Sequence, residues 1–483
     1  MTGLDDRPPS RGEDTEITEL GVAAAASAIR DGEIAAVSYA GALLRQANRH
    51  ADLHSFITID EASVLSAAAA ADQARAAGST APLLGVPLGI KDSYQTSDLP
   101  TTLGLASLSR FVPAGDADLV SAVRRAGGIV FGKNNLVEMS YGVTGHNERY
   151  GQVLNPYRRD HISGGSSSGS AASVAARIVP ASFGGDTIGS IRIPAALNGV
   201  VGFKPTTGRW PRGGVAPVSH TLDTTGLLSR NVEDVELIDR IVTDAPVTPR
   251  VPGLAGMRFA YSPRHHLQLV DAQVADRFQE TVALLRSAGA EVLEVDLGDD
   301  FSDLADRVGW NLFLRDTHEA LADYLAAHGY PITFDEIYRG LKPQLHEVWT
   351  AVVAPGAPGY LSQDEHAATL AVARPRLQQR YRDVFSRDGI DALIFPTTPA
   401  PAPAIADQWE FTVEGESVPH LHLSTNTIPA SGAGIPGITL PVGLTASGLP
   451  IGIELDGPHG RDRELLALAR HVEGLLDPLP SPV

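Results

Sequence analysis

The sequence predicts an α/β protein, and three observations carry that prediction. Short apolar, strand-like stretches occur at 84–90 and 129–132; helix-favouring stretches at 118–126 and 168–177 alternate with them; and the strand pattern returns far downstream at 392–395 and 437–440. Such alternation layers helices on a sheet.

Taken in order, residues 1–14 are rich in Pro, Gly and charge, and read as a loose terminus before a helical start near Glu16. Residues 62–77 are dominated by alanine and favour helix until Gly78-Ser79-Thr80 and Pro82 stop it. The apolar run 84–90 reads as a buried strand, and Ile129-Val130-Phe131-Gly132 as a second one after the helix at 118–126. A glycine-serine loop then opens an alanine-rich helix at 168–177. Longer helical patterns at 274–287, 304–328 and 367–385, with few strand signals, make 241–385 a mainly helical insertion or cap. Ala392-Leu393-Ile394-Phe395 and Gly437-Ile438-Thr439-Leu440 resume the α/β pattern, and the Pro-Ala tract between them, 396–406, is too apolar for a flexible linker. The expected organisation is a helical segment over 1–80, a core over 81–240, the insertion over 241–385 and a C-terminal part over 386–483, all within one large domain.

Composition removes several classes of function. With 38 basic and 57 acidic residues in 483, the net charge of -19 repels phosphate backbones and anionic lipid, so neither nucleic acid nor membrane is expected as a partner. The chain has no cysteine, which excludes disulfides, thiolate nucleophiles and thiolate metal sites, and leaves oxygen or nitrogen for any covalent catalysis. Residues 1–19 are polar and acidic with no apolar leader core, and the reading is a soluble, cytoplasmic protein.

Three segments carry chemistry. Lys91 ends the apolar run Gly85-Val86-Pro87-Leu88-Gly89-Ile90; if buried there its ammonium loses hydration, and a neutral amine becomes available as a general base near pH 7. The loop Gly164-Gly165-Ser166-Ser167-Ser168-Gly169-Ser170 lacks the Lys-Ser/Thr ending of a phosphate-binding loop. It does match G-x-S-x-G, with Ser167 as the nucleophile of an α/β-hydrolase-type esterase, but the polar, proline-broken 155–161 upstream gives such an elbow no strand to stand on. The third segment, Gly184-Gly185-Asp186-Thr187-Ile188-Gly189-Ser190-Ile191-Arg192-Ile193-Pro194, is a tight turn around a serine. His420-Leu421-His422 has no third ligand at helical spacing, so no metal is implied.

Together, in this order and spacing, the three segments resemble the amidase signature family. Asn155-Pro156, Gly202-Phe203-Lys204-Pro205-Thr206, Leu222-Asp223 through Gly226, Phe395-Pro396-Thr397 and Gly448-Leu449-Pro450-Ile451-Gly452 fit it too. The resemblance is strong over about 80–240 and weaker over 385–475. It implies a large central mixed β-sheet covered by helices on both faces. It implies Ser190 as nucleophile, Ser166 as bridging serine after a cis Gly165-Ser166 peptide, and Lys91 as base. The backbone N–H groups of Thr187, Ile188, Gly189 and Ser190 would form the oxyanion hole, with Asp186 and Arg192 supporting the turn. One departure stands out: the common family form has two glycines before the nucleophile, and Ile188 replaces the first, which narrows or reshapes the acyl pocket.

Within the family, Gly208-Arg209-Trp210-Pro211 with Pro217-Val218-Ser219, and Glu454-Leu455-Asp456-Gly457, look most like the indoleacetamide and mandelamide hydrolases and the urethanases of that branch. Amidotransferase subunits usually carry Gln where Ile193 stands, and are disfavoured. Ser140, Tyr141 and Gly142 match the family stretch that lines the site, and Arg209 is expected at its entrance. The resemblance implies hydrolysis of an amide or carbamate of aryl type, without cofactor, by a monomer or homodimer. Three alternatives remain: a narrow primary arylacetamide amidase, the Ser167 esterase, and a non-enzymatic binding subunit that keeps the fold.

Overall fold

The computed structural model describes residues 16–245, 251–387 and 389–482; the loose terminus expected at 1–14 lies outside them. Thirteen strands follow in chain order: β1 Phe56–Thr58, β2 Pro87–Lys91, β3 Ile129–Asn134, β4 Ala181–Asp186, β5 Val201–Lys204, β6 Thr224–Ser229, β7 Arg258–Tyr261, β8 Glu291–Glu294, β9 Ala392–Pro396, β10 Glu410–Val413, β11 Glu416–Pro419, β12 Gly437–Leu444 and β13 Pro450–Asp456. Eleven form one sheet in the order β1-β3-β2-β4-β6-β5-β12-β13-β9-β7-β8, while β10 and β11 form a separate hairpin. The sheet is mixed: β2 runs parallel to β3 and β4, and β7 runs parallel to β8 and β9, with antiparallel pairs between.

Local chemistry explains the elements near the site. The predicted strand 84–90 begins later, at Pro87, because Gly85 takes a left-handed φ of 75° in a turn where its Cβ would lie 2.7 Å from that of Ala36. The helix Glu61–Ala76 is alanine-rich and starts at Asp60, whose carboxylate accepts the Ser63 N–H. The stretch 241–385 carries the expected long helices, including Ala272–Ser287 and Phe301–Ala327, but also supplies β7 and β8 to the main sheet. One hydrophobic core packs around the sheet, with Leu88, Ile90, Phe131, Phe183 and Phe203 at its centre. A second, containing Phe301, Leu312, Phe313 and Trp349, lies within the helical layer and reaches Tyr141 and Ile188.

Because β2 and β4 are parallel neighbours, their C-terminal residues Lys91 and Asp186 emerge at the same edge of the sheet. That is where α/β sheets commonly hold ligands.

Candidate active site

Lys91 is 1 % exposed, and its Nζ donates to Ser166 Oγ at 2.8 Å. Burial strips its ammonium of water and pushes its pKa down from 10.5 to about 7, against the opposing charges of Asp186 and Asp223.

Ser166 lies in the glycine-serine loop that leads into the helix Ser168–Ala175, and the Gly165–Ser166 peptide is cis. The loop is joined to the Ser190 turn by the backbone, since the Ser167 N–H donates to the Ser190 carbonyl at 3.2 Å. Ser167 itself turns away from this chemistry. Its hydroxyl donates to the Gly185 carbonyl and accepts the Gly185 N–H, both at 3.2 Å, and it is fully buried.

Ser190, 6 % exposed, closes the turn between β4 and the helix Arg192–Asn198. Asp186 shapes that turn: its two oxygens accept the N–H groups of Gly189 at 2.7 Å and Ile191 at 3.1 Å. This corrects the four-donor oxyanion hole. The Gly189 N–H is already taken by a carboxylate, which a developing oxyanion cannot displace without leaving Asp186 short of a partner. Among the described residues, no backbone hydrogen bond takes up the N–H groups of Thr187, Ile188 or Ser190. Gly189 has φ 132°, and a Cβ there would lie 2.2 Å from Thr427 Oγ1, so only glycine fits. The Thr427 hydroxyl in turn donates to the Ile188 carbonyl at 2.7 Å.

Arg192 anchors the arrangement from behind. Fully buried, it donates through Nε and Nη2 to both oxygens of Asp186 at 3.0 Å, through Nη1 to Glu454 Oε1 at 2.5 Å, and through Nη2 to Ser431 Oγ at 2.7 Å. Burial alone would lower its pKa, but the charges of Asp186 and Glu454 outweigh that and raise it. The same guanidinium holds the Asp186 carboxyl below its ordinary range in spite of burial.

A cavity of about 330 Å³ opens beside Lys91, lined by the polar Asp186, Thr187, Ser140 and Asp223 and by the apolar Val215, Pro217 and Val218. Tyr324 also lines it, as do the exposed His220, Asp323 and His328. Ser140 and its neighbour Met139 have left-handed φ angles of 60° and 55°, a strained pair. The preceding Glu138 ties this bend to the helical layer, meeting Lys342 Nζ at 2.6 Å. Tyr141 and Gly142 do not line the cavity; the Tyr141 ring packs on Phe313 and Trp349 at centroid distances of 4.6 and 5.3 Å, and its hydroxyl accepts from Thr317 at 3.3 Å.

Arg209 is a second correction. Instead of reaching the entrance it donates to both oxygens of Asp239, at 2.9 and 2.6 Å, where the Trp210 indole N–H also binds. Arg212, three residues on, is the arginine that borders the cavity, its Nη1 donating to the carbonyls of His220 and Asp223 at 3.0 Å. Sequence reasoning also passed over Asp223 as a site residue, although it stands within a stretch that fitted the family. His422 Nε2 pairs with the Leu269 carbonyl at 3.0 Å and the His420 ring packs on Trp409, which gives both histidines structural neighbours. Among the described residues no group of three His, Cys, Asp or Glu side chains is placed to hold a metal ion.

The fold and its buried lysine and serine turn belong to an amide-hydrolysing enzyme, as its family and relatives show. The chain belongs to the Amidase family, whose model matches residues 40–466. It is 34 % identical to the mandelamide hydrolase of Pseudomonas putida, over 96 % of this chain and 93 % of that one. It is also 34 % identical to the indoleacetamide hydrolase of Pseudomonas savastanoi, over 93 % of this chain and 95 % of the relative. Among solved structures, native peptide amidase from Stenotrophomonas maltophilia superimposes with a TM-score of 0.77 at 28 % identity, covering 96 % of this chain and 98 % of that one. Among the described residues no helix is long and apolar enough to cross a membrane.

Proposed function

We propose that the enzyme cleaves the C–N bond of aryl amides and aryl carbamates through an acyl-enzyme on Ser190. The observation that carries the reading is the buried Lys91–Ser166 hydrogen bond at 2.8 Å, with the lysine brought to a pKa of about 7. Neutral Lys91 takes a proton relayed through Ser166 as Ser190 attacks the carbonyl carbon. The oxyanion is received by the N–H groups of Thr187, Ile188 and Ser190, while Asp186 and Arg192 hold the turn in shape. When the C–N bond breaks, the proton returns through Ser166 to the leaving nitrogen. Water then hydrolyses the ester on Ser190 by the same relay. For a carbamate the acyl-enzyme is a carbonate ester, and its hydrolysis yields the alcohol and carbon dioxide.

The cavity beside Lys91 supports an aromatic amine as leaving group: it holds about 330 Å³, has a Val215–Val218 wall and is bordered by the lysine whose proton returns by way of Ser166. A second reading, hydrolysis of primary arylacetamides, is supported by the mandelamide and indoleacetamide hydrolases that the chain resembles. In either case the working protein is a cytoplasmic monomer or homodimer with a small-molecule substrate. The deciding experiment is arylamine release from an N-aryl acetamide and the matching N-aryl ethyl carbamate, with Ser190→Ala alongside. Ser190-dependent turnover of both supports the proposal; turnover of primary arylacetamides alone selects the second reading.

A further inference from the structure

Asp223 has no part in the relay described above, yet it binds the pieces of the site together. It borders the cavity along with Lys91, Asp186 and Thr187. Its Oδ1 accepts the Thr187 hydroxyl at 2.7 Å, and its Oδ2 accepts the N–H groups of Val218 at 2.8 Å and Ser219 at 3.0 Å. One carboxylate thereby fixes both the first residue of the turn and the loop that walls the cavity. The loop is pinned again from the far side, where Ser219 Oγ donates to Asp316 Oδ2 on the helix Phe301–Ala327 at 2.5 Å.

The charge of Asp223 differs from that of Asp186. Asp186, whose charge opposes the effect of burial on Lys91 more strongly than that of Asp223, is itself clamped by the Arg192 guanidinium. Asp223 has only hydrogen-bond donors on its carboxylate, and the adjacent Arg212 spends Nη1 on the carbonyls of Asp223 and His220. Tyr324 is buried and stays neutral, its pKa raised by burial; the remaining charged and titratable groups at the cavity, His220, Asp323 and His328, are exposed. Their fields are screened by solvent.

We infer that Asp223 is a positioning residue of the reaction: it holds Thr187 where its N–H can meet the oxyanion, and its carboxylate, bordering the same cavity as Lys91, adds to the charge of Asp186 in holding the lysine's proton. The inference rests on the Lys91–Ser166–Ser190 reading. The opposing influence of Asp223 on the lysine, whose ammonium burial pushes down, agrees with it.

The experiment follows kcat and kcat/KM between pH 5 and 9 for an N-aryl amide, in wild type, Asp223→Asn, Thr187→Val and Thr187→Ser. Removing the charge in Asp223→Asn moves the acid limb of kcat/KM to lower pH and lowers the plateau kcat about tenfold or more. Thr187→Val lowers the plateau without moving the limb, and Thr187→Ser restores it. An unmoved limb in folded Asp223→Asn, or a Thr187→Val plateau equal to wild type, overturns the inference. The Thr187 pair decides the positioning half even where Asp223→Asn does not fold. A Ser190→Ala control run in parallel distinguishes the two failures: unchanged turnover in that variant sinks the underlying reading, whatever Asp223 does.

Discussion

The lysine at the end of β2 offers the sharpest prediction. A lysine at its ordinary pKa of 10.5 is neutral to only about 0.03 % at pH 7. With burial bringing Lys91 to about 7, roughly half of the molecules hold a free amine, a gain of more than a thousandfold in competent base. The activity kcat/KM should therefore fall about tenfold per pH unit below pH 7 and level off above it, as one proton is lost from the free enzyme. Lys91→Met keeps the length and packing of the side chain but deletes the base, and should cost about 10²–10⁴ in kcat/KM. Lys91→Arg should fare no better, since a guanidinium stays protonated throughout the range. Stability separates loss of chemistry from loss of fold. Because the folded pKa lies below the unfolded value, the unfolded chain binds more protons between about pH 7 and 10.5, and wild-type stability rises with pH across that window. Lys91→Met should lack this slope and unfold at no lower temperature than wild type at pH 7. The assay is initial-rate arylamine release, with thermal unfolding of the same samples. A rate profile flat from pH 5 to 8, or a folded Lys91→Met variant within tenfold of wild type, would refute the reasoning.

Other expectations follow from single contacts. Arg192→Met strands the buried carboxylates of Asp186 and Glu454, and should cost about 3–5 kcal/mol in denaturant unfolding together with most of the activity. Ser167→Ala should keep turnover within a few-fold of wild type, since that hydroxyl binds only the Gly185 backbone; its loss abolishing activity would revive the esterase reading. Gly189→Ala drives a methyl group into Thr427 at an unfavourable φ, so activity should vanish or the protein should fail to fold, read by activity and circular dichroism. Ile188→Ala removes a 4 % exposed side chain from the helical-layer core, costing about 2–5 kcal/mol. It should also improve relative turnover of bulky arylacetyl amides over acetyl amides, measured as a ratio of kcat/KM.

What the sequence made legible was what it writes contiguously. The apolar frame around Lys91 and the glycines around Ser166 and Ser190 are local patterns, and the elements that present them follow from composition. Strands β7 and β8 were harder because each has four residues and opens on a charged one, Arg258 or Glu291, which leaves too few positions for a period of two to show. The pairing of Arg209 with Asp239 rather than with a ligand depends on where a helix 30 residues away is packed, which no local pattern records. The same holds for Asp223, whose partners come from the turn at 187 and the loop at 218–219. The Gly189 donor was miscounted for a different reason. A motif gives residue types, but which N–H groups remain free depends on the direction of the Asp186 side chain.

The central claim is that Ser190 becomes acylated, and covalent trapping tests it most directly. Wild-type protein treated with a fluorophosphonate, digested and mapped by mass spectrometry should carry one adduct, on the peptide containing Ser190, with arylamine release lost in step. Modification at Ser166 or Ser167 with Ser190 untouched, or undiminished turnover in protein fully labelled at Ser190, would contradict the account.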